Sequence, residues 1–184
     1  MTKDEMKKVV CQAIDEAAEK IHETVLRIES EPELGYKEMK TAAKVESYMK
    51  ELGLTPQTGL ALTGVKTCVD GGKKGPAVAV LAELDAVGTP DSPKADPLTG
   101  AAHTCGHFLQ MASMLAACTG IVKSGVMQDL AGSAVFFAVP AEEYVEIDYR
   151  KRLVKEGKIH FLGGKSELVY EGHFDDIDMA MQMH

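Results

Sequence analysis

Two histidines and a cysteine fall within five residues, His103–Thr104–Cys105–Gly106–His107, in a chain that has only six His and four Cys. Three chemistries fit them. A thiolate beside an imidazole is a site for a borderline or soft metal ion. A cysteine close to a helix N-terminus, where the dipole favours thiolate, can be a nucleophile. A buried Cys and His satisfied by backbone would do neither. The spacing of two puts His103, Cys105 and His107 on one side of an extended backbone. Gly106 lets the chain bend sharply before the apolar run that follows. From these five residues alone all three readings stay open.

Other residues of the same chemical character stand at the ends of apolar runs. Glu142 and Glu143 follow "SAVFFAVPA" directly. Two adjacent carboxylates can point in different directions, so one can bind a metal while the other stays free as a base; an acidic pair at a helix start is the plain alternative. Asp85 ends "AVAVLAELD", where it can be a turn or cap residue, or a carboxylate that orients a ligating side chain. His184 ends "DMAMQMH" and read alone is an ordinary terminal histidine. Taken together, three apolar strands each end in a potential ligand or ligand-orienter, and the Cys–His motif follows the loop after one of them. Ligands of open α/β sheets gather at the carboxyl ends of strands, so the coincidence favours metal.

The elements that must position these groups follow from periodicity. Residues 4–29 carry Met6, Val9, Val10, Ala13, Ile14, Ala17, Ile21, Val25 and Ile28 at helical spacing, which predicts one long amphipathic helix. Pro32 and Gly35 interrupt it. A second helix is expected over Lys37–Leu52, stopped at Gly53 with Pro56 beyond. Short strands are expected in 60–70 around Gly64, with "GGKKGP" as a turn. The almost wholly apolar 77–84 and 133–139 read as strands covered on both faces. Between them lie a loop rich in Pro, Asp and Gly from Gly88 to Gly100, long enough to be functional, and a buried helix over 107–122. A charged helix over 144–156, a loop with a short helix, and a third strand from 178 complete the chain. Alternating strands and helices indicate an α/β fold: a mixed, mostly parallel sheet with helices on both faces.

Composition narrows the partners. At 184 residues one domain is expected, and a chain of this size can bury about 70% of its unfolded surface. The formal net charge of −8 leaves no basic face for a phosphate backbone, so no nucleic-acid partner is expected. The run Arg150–Lys151–Arg152 lies among acidic residues and reads as a solvated helix face. No apolar stretch approaches the ~18 residues that span a bilayer, so no membrane partner is expected. Cys11, Cys68 and Cys118 form no CxxC pair and read as core thiols; a cytoplasmic location follows. "GGKKG" precedes a strand instead of following one, the wrong order for a dinucleotide site.

Residues "EPELGYKEMKTAAKV", "AELDAV", "HTCGH", "VPAEEY" and "MAMQMH", in this order over nearly the whole chain, resemble the aminoacylase-like metallopeptidases of peptidase family M20, in the amidohydrolase branch that acts on N-acyl amino acids and aminobenzoyl-glutamate. The resemblance implies a zinc-exopeptidase-like catalytic domain, of which residues 1–184 would be the N-terminal portion. It implies two divalent ions (zinc or manganese, with cobalt or nickel as alternatives) held by Cys105, His107, Glu143 and His184, with Cys105 as the bridge. Glu142 would be general base and then acid, and Asp85 the orienter. His103 is expected to be a local hydrogen-bonding residue. The implied reaction is hydrolysis of the amide of a small N-acyl amino acid or peptide-like substrate by a metal-activated water.

Three departures from the family pattern stand out. Phe108 replaces the usual Asp or Asn and is expected to make the pocket more apolar. Glu83 and Gly88 replace Asp and Pro. The family's inserted lid domain, through which a homodimer would form, and a further metal-binding His lie beyond the His184 position. The 184-residue chain by itself is therefore expected to be inactive or nearly so. A non-catalytic metal-binding relative and a cysteine-dependent hydrolase are the alternatives.

Overall fold

A computed structural model describes all 184 residues. The chain begins with two helices, α1 (Lys3–Glu16) and α2 (Ala18–Glu29), where periodicity predicts one. The interruption is Ala17, at φ −103° and ψ 2°, with its N–H turned back to Ile14. Neither Pro nor Gly marks it in the sequence. Helix α3 (Met39–Glu51) follows, then strands β1 (Gln57–Leu60), β2 (Gly64–Asp70) and β3 (Lys73–Glu83). Strand β3 thus already includes the "KKGP" expected in a turn, and its register slips between Lys73 and Ala77 to accommodate it. The Pro- and Gly-rich loop is an excursion closed by a two-stranded ladder of β4 (Val87–Gly88) and β5 (Ala101–Ala102). Helix α4 (His107–Ser124), β6 (Ala131–Val139), α5 (Ile147–Lys155), α6 (Gly164–Tyr170) and β7 (Met179–Gln182) complete the order.

The five-stranded sheet has the order β1-β2-β6-β3-β7. It is mixed: β3 pairs in parallel with both β6 and β7, while β2 runs against β1 and β6. Alternation of side chains across the strands separates two cores. Phe136, Ala138 and Ala82 face a layer of Ile21, Val25, Ile28, Val45, Met49, Met111 and Met114 from α2, α3 and α4. Phe137 and Val139 face Leu153, Ile159 and Leu168 on the α5–α6 side.

This topology determines where a ligand can sit. The chain leaves β3 through α4 on one face and returns as β6 on one side of β3. It leaves β6 through α5 and α6 on the other face and returns as β7 on the opposite side. The connections therefore diverge above the carboxyl end of β3, leaving a crevice there. Asp85, Glu142 with Glu143, and His184 all lie just beyond the ends of β3, β6 and β7. Strand β7 is an edge, and Met179, Met181 and Met183 are exposed along it. No helix is long and apolar enough to cross a membrane.

Candidate metal centre

His107 is the first residue of α4 and is fully buried. Gly106 immediately before it has φ +86°, a left-handed conformation that glycine adopts without Cβ strain. That bend turns the His107 ring back over the end of β3. Its Nδ1 lies 2.9 Å from the Asp85 carbonyl oxygen and 3.3 Å from the Asp85 carboxylate. Donation of the Nδ1–H to that carbonyl turns Nε2 toward the crevice, where it is the nitrogen available to an ion. There Nε2 meets carboxylates on three sides: Glu83 at 2.9 Å, Glu142 at 3.8 Å and Glu143 at 3.9 Å. The Glu83 contact is close but off-axis, so Nε2 has no aligned hydrogen-bond partner.

Two sets of donors converge on this nitrogen. Cys105, His107 and Glu143 form one, and Glu83, His107 and His184 form the other; within each, the ligand atoms lie within 4.8 Å of one another. The His184 ring stands edge-on to that of His107, with centroids 6.1 Å apart. Asp85 serves both neighbours: its carbonyl takes the imidazole and its Oδ2 accepts the Glu143 N–H at 2.9 Å.

Electrostatics mark the crevice as a place for a cation. Burial pushes the His107 pKa down, but the Asp85, Cys105 and Glu83 partners outweigh it and hold the imidazole at about 12. Burial alone would raise Glu83, yet the donor groups around it on His107, Lys165, Gln182 and Gln110 bring it below the ordinary carboxylate range. Glu142 is raised, by burial first and then by the negative charge of Glu83. The groups around the imidazole thus favour positive charge in the crevice. A divalent cation supplies such charge, and a set of thiol, imidazole and carboxylate donors suits one.

The structure brings Cys105, His107, Glu143 and His184 into one crevice with Glu142 and Asp85 beside them. It departs from the sequence expectations at other positions. His103 joins neither donor set: the strand ends at Ala102 and Thr104–Cys105 form a turn, so the period of two does not run through the motif. Its ring nitrogens have no partners, so it is not a hydrogen-bonding residue; it packs 5.8 Å from the Phe108 ring, and burial lowers its pKa to about 4. Phe108 packs against the first core. Cys11 and Cys68 are exposed, so only Cys118 is a core thiol.

Sequence reasoning passed over Glu83 as a donor. It is fully buried, bonded to Lys165 of α6 and, at 2.9 Å, to Gln110 of α4. A lone carboxylate closing an otherwise apolar strand, two residues before Asp85, was the available signal.

With the geometry in place, comparison with known proteins is informative. The chain is 28% identical over 182 residues to the YhaA protein of Bacillus subtilis (strain 168), covering 97% of this chain and 41% of that one. It is 27% identical over 187 residues to the N-acyl-L-amino acid amidohydrolase of Geobacillus stearothermophilus, covering 100% of this chain and 45% of that one. The YXEP protein of Bacillus subtilis, described as a dinuclear metal binding peptidase from the M20 family, superposes with a TM-score of 0.69 at 22% identity, over 90% of this chain and 43% of that one. The chain is similar in sequence to amidohydrolases and in fold to an M20 peptidase. Its α/β sheet and helices are those of the M20 catalytic domain, and its homologues are hydrolases. No family model matches it. The chain spans less than half the length of these relatives.

Proposed function

We propose that this chain contributes the metal-binding and general-base residues of an amidohydrolase that cleaves an N-acyl amino acid or a small peptide-like conjugate. The observation that carries the reading is the division of labour between neighbouring carboxylates. Glu143 converges with Cys105 and His107, whereas Glu142 stays outside both donor sets, 3.8 Å from the same imidazole and with a raised pKa. One acid is placed to ligate and the other to move a proton.

Cys105, His107, Glu143 and His184 would hold the metal, with Glu83 as a further donor. His107 offers one free nitrogen, because Nδ1 is committed to Asp85, and so serves a single ion. A second ion would depend on sharing the Cys105 thiolate or on Glu83 and His184. A divalent ion held there would supply a water of lowered pKa and charge to offset a developing oxyanion. Glu142 takes the proton of the attacking water and returns it to the departing amine. Asp85 keeps His107 in the required tautomer and holds the Glu143 backbone. The substrate class follows the N-acyl-L-amino acid amidohydrolase among the relatives.

The test is metal analysis of the complete natural protein together with a panel of N-acyl amino acids, repeated on Glu142→Gln. The substitution should leave bound metal unchanged and lower kcat about 10²–10⁴-fold. Hydrolysis surviving Glu142→Gln would remove the general-base assignment. Activity that persists after chelation and full metal loss would favour Cys105 as a nucleophile instead.

A further inference from the structure

Arg150 belongs to the basic run expected to face water, yet it is the largest fully buried side chain of the molecule, at 0% exposure. Its partners are main-chain carbonyls. Nη1 donates to Leu162 at 2.7 Å and to Ala141 at 3.3 Å, Nη2 donates to Glu143, and Nε has no partner. The Tyr36 and Tyr144 rings flank the guanidinium, with centroids 5.5 and 5.8 Å from Cζ. Gly35 leaves room for it: a Cβ there would lie 2.8 Å from Ala141 Cα and run into Nη2. A buried cation without a carboxylate partner is costly, and an apolar side chain of similar size would fill such a position more cheaply.

Two of the three carbonyls bracket Glu142. The segment they belong to is strained, since Ala141 has φ +53°. Its N–H is taken by the buried Glu38 carboxylate at 2.8 Å, and its carbonyl by Arg150. We propose that Arg150 is a positioning residue for Glu142 and Glu143, its planar fork fixing the peptide groups before Glu142 and after Glu143 so that both carboxylates point at His107. The inference rests on the hydrolase reading above. A lysine keeps the charge but is a point donor on a flexible stem and cannot reproduce the fork.

The experiment uses the complete protein with zinc as the probe, measured by chelator competition per folded molecule, and with steady-state kinetics on an N-acyl amino acid. Arg150→Lys should weaken zinc binding about ten- to a hundredfold, the effect typical of losing a group that orients a ligand. It should lower kcat by a similar factor while KM moves less than about twofold. Leu153→Ala, on the same helix and in the same core, is the control: it should lower stability and leave zinc affinity unchanged. If Arg150→Lys does not fold, Arg150→Met, which fills the space without the guanidinium donors, should produce the same loss. Zinc affinity and kcat equal to wild type, or an equal loss in Leu153→Ala, overturns the proposal alone. Wild-type protein that binds no zinc removes the metal site and the proposal with it.

Discussion

Replacing Glu38 by Gln should make the protein more stable at alkaline pH and leave it unchanged at acidic pH. Glu38 is fully buried, accepting from Thr63 Oγ1 at 2.7 Å and from the Ala141 N–H at 2.8 Å. Burial, and then the negative charge of Asp85, raise its pKa from 4.5 to about 7, against the weaker pull of those donors. The native state therefore keeps a proton that the unfolded chain releases between these values. The stability this proton contributes is complete below pH 4.5 and is lost as pH rises through about 7. A gap of roughly 2.5 pH units at about 1.36 kcal/mol each amounts to about 3 kcal/mol. Gln imitates the protonated acid, with its carbonyl toward Ala141 and its amide toward the Thr63 hydroxyl. At about pH 8 the variant should be the more stable by about 3 kcal/mol, or about 6–12 °C in Tm for a chain of this length, with no difference near pH 4. Urea unfolding followed by circular dichroism is the assay. The protein should be treated with chelator, because a cation near Asp85 would offset the charge that raises Glu38. A difference independent of pH, or one that favours the wild type as pH rises, refutes the reasoning.

Two other substitutions probe the crevice. Glu83→Gln removes the charge that links His107, His184 and Lys165 and should weaken metal binding about ten- to a hundredfold, read by calorimetry; unchanged affinity would exclude Glu83 as a donor. Gly164→Ala would place a Cβ 2.6 Å from the Pro140 carbonyl carbon. Either the segment leading to Glu142 or the start of α6 must then move, at a cost of about 1–3 kcal/mol in denaturant unfolding.

Much of the site was legible because its parts are local. Apolar runs ended by Asp85, by Glu142–Glu143 and by His184 identify strands with polar carboxyl ends, and Gly106 between Cys105 and His107 marks a bend. Periodicity was less informative where a helix is interrupted without Pro or Gly, as at Ala17. It also failed at His103, where the rule of twos was applied to a segment that turns at Thr104–Cys105 instead of staying extended.

By itself the sequence determined most of the order of strands and helices, the two covered faces of the central strands, and the residue types waiting at their ends. These depend on near-neighbour patterns, and burial on alternating faces follows from them. The tertiary structure alone decided which of those ends share a crevice, through the placement of β6 and β7 on opposite sides of β3. It likewise decided that Glu83 meets Lys165 from 82 residues away, and that Arg150, in a charged run, turns inward while its neighbours face water. A charged residue's fate depends on which groups lie across from it, and no spacing along the chain records that.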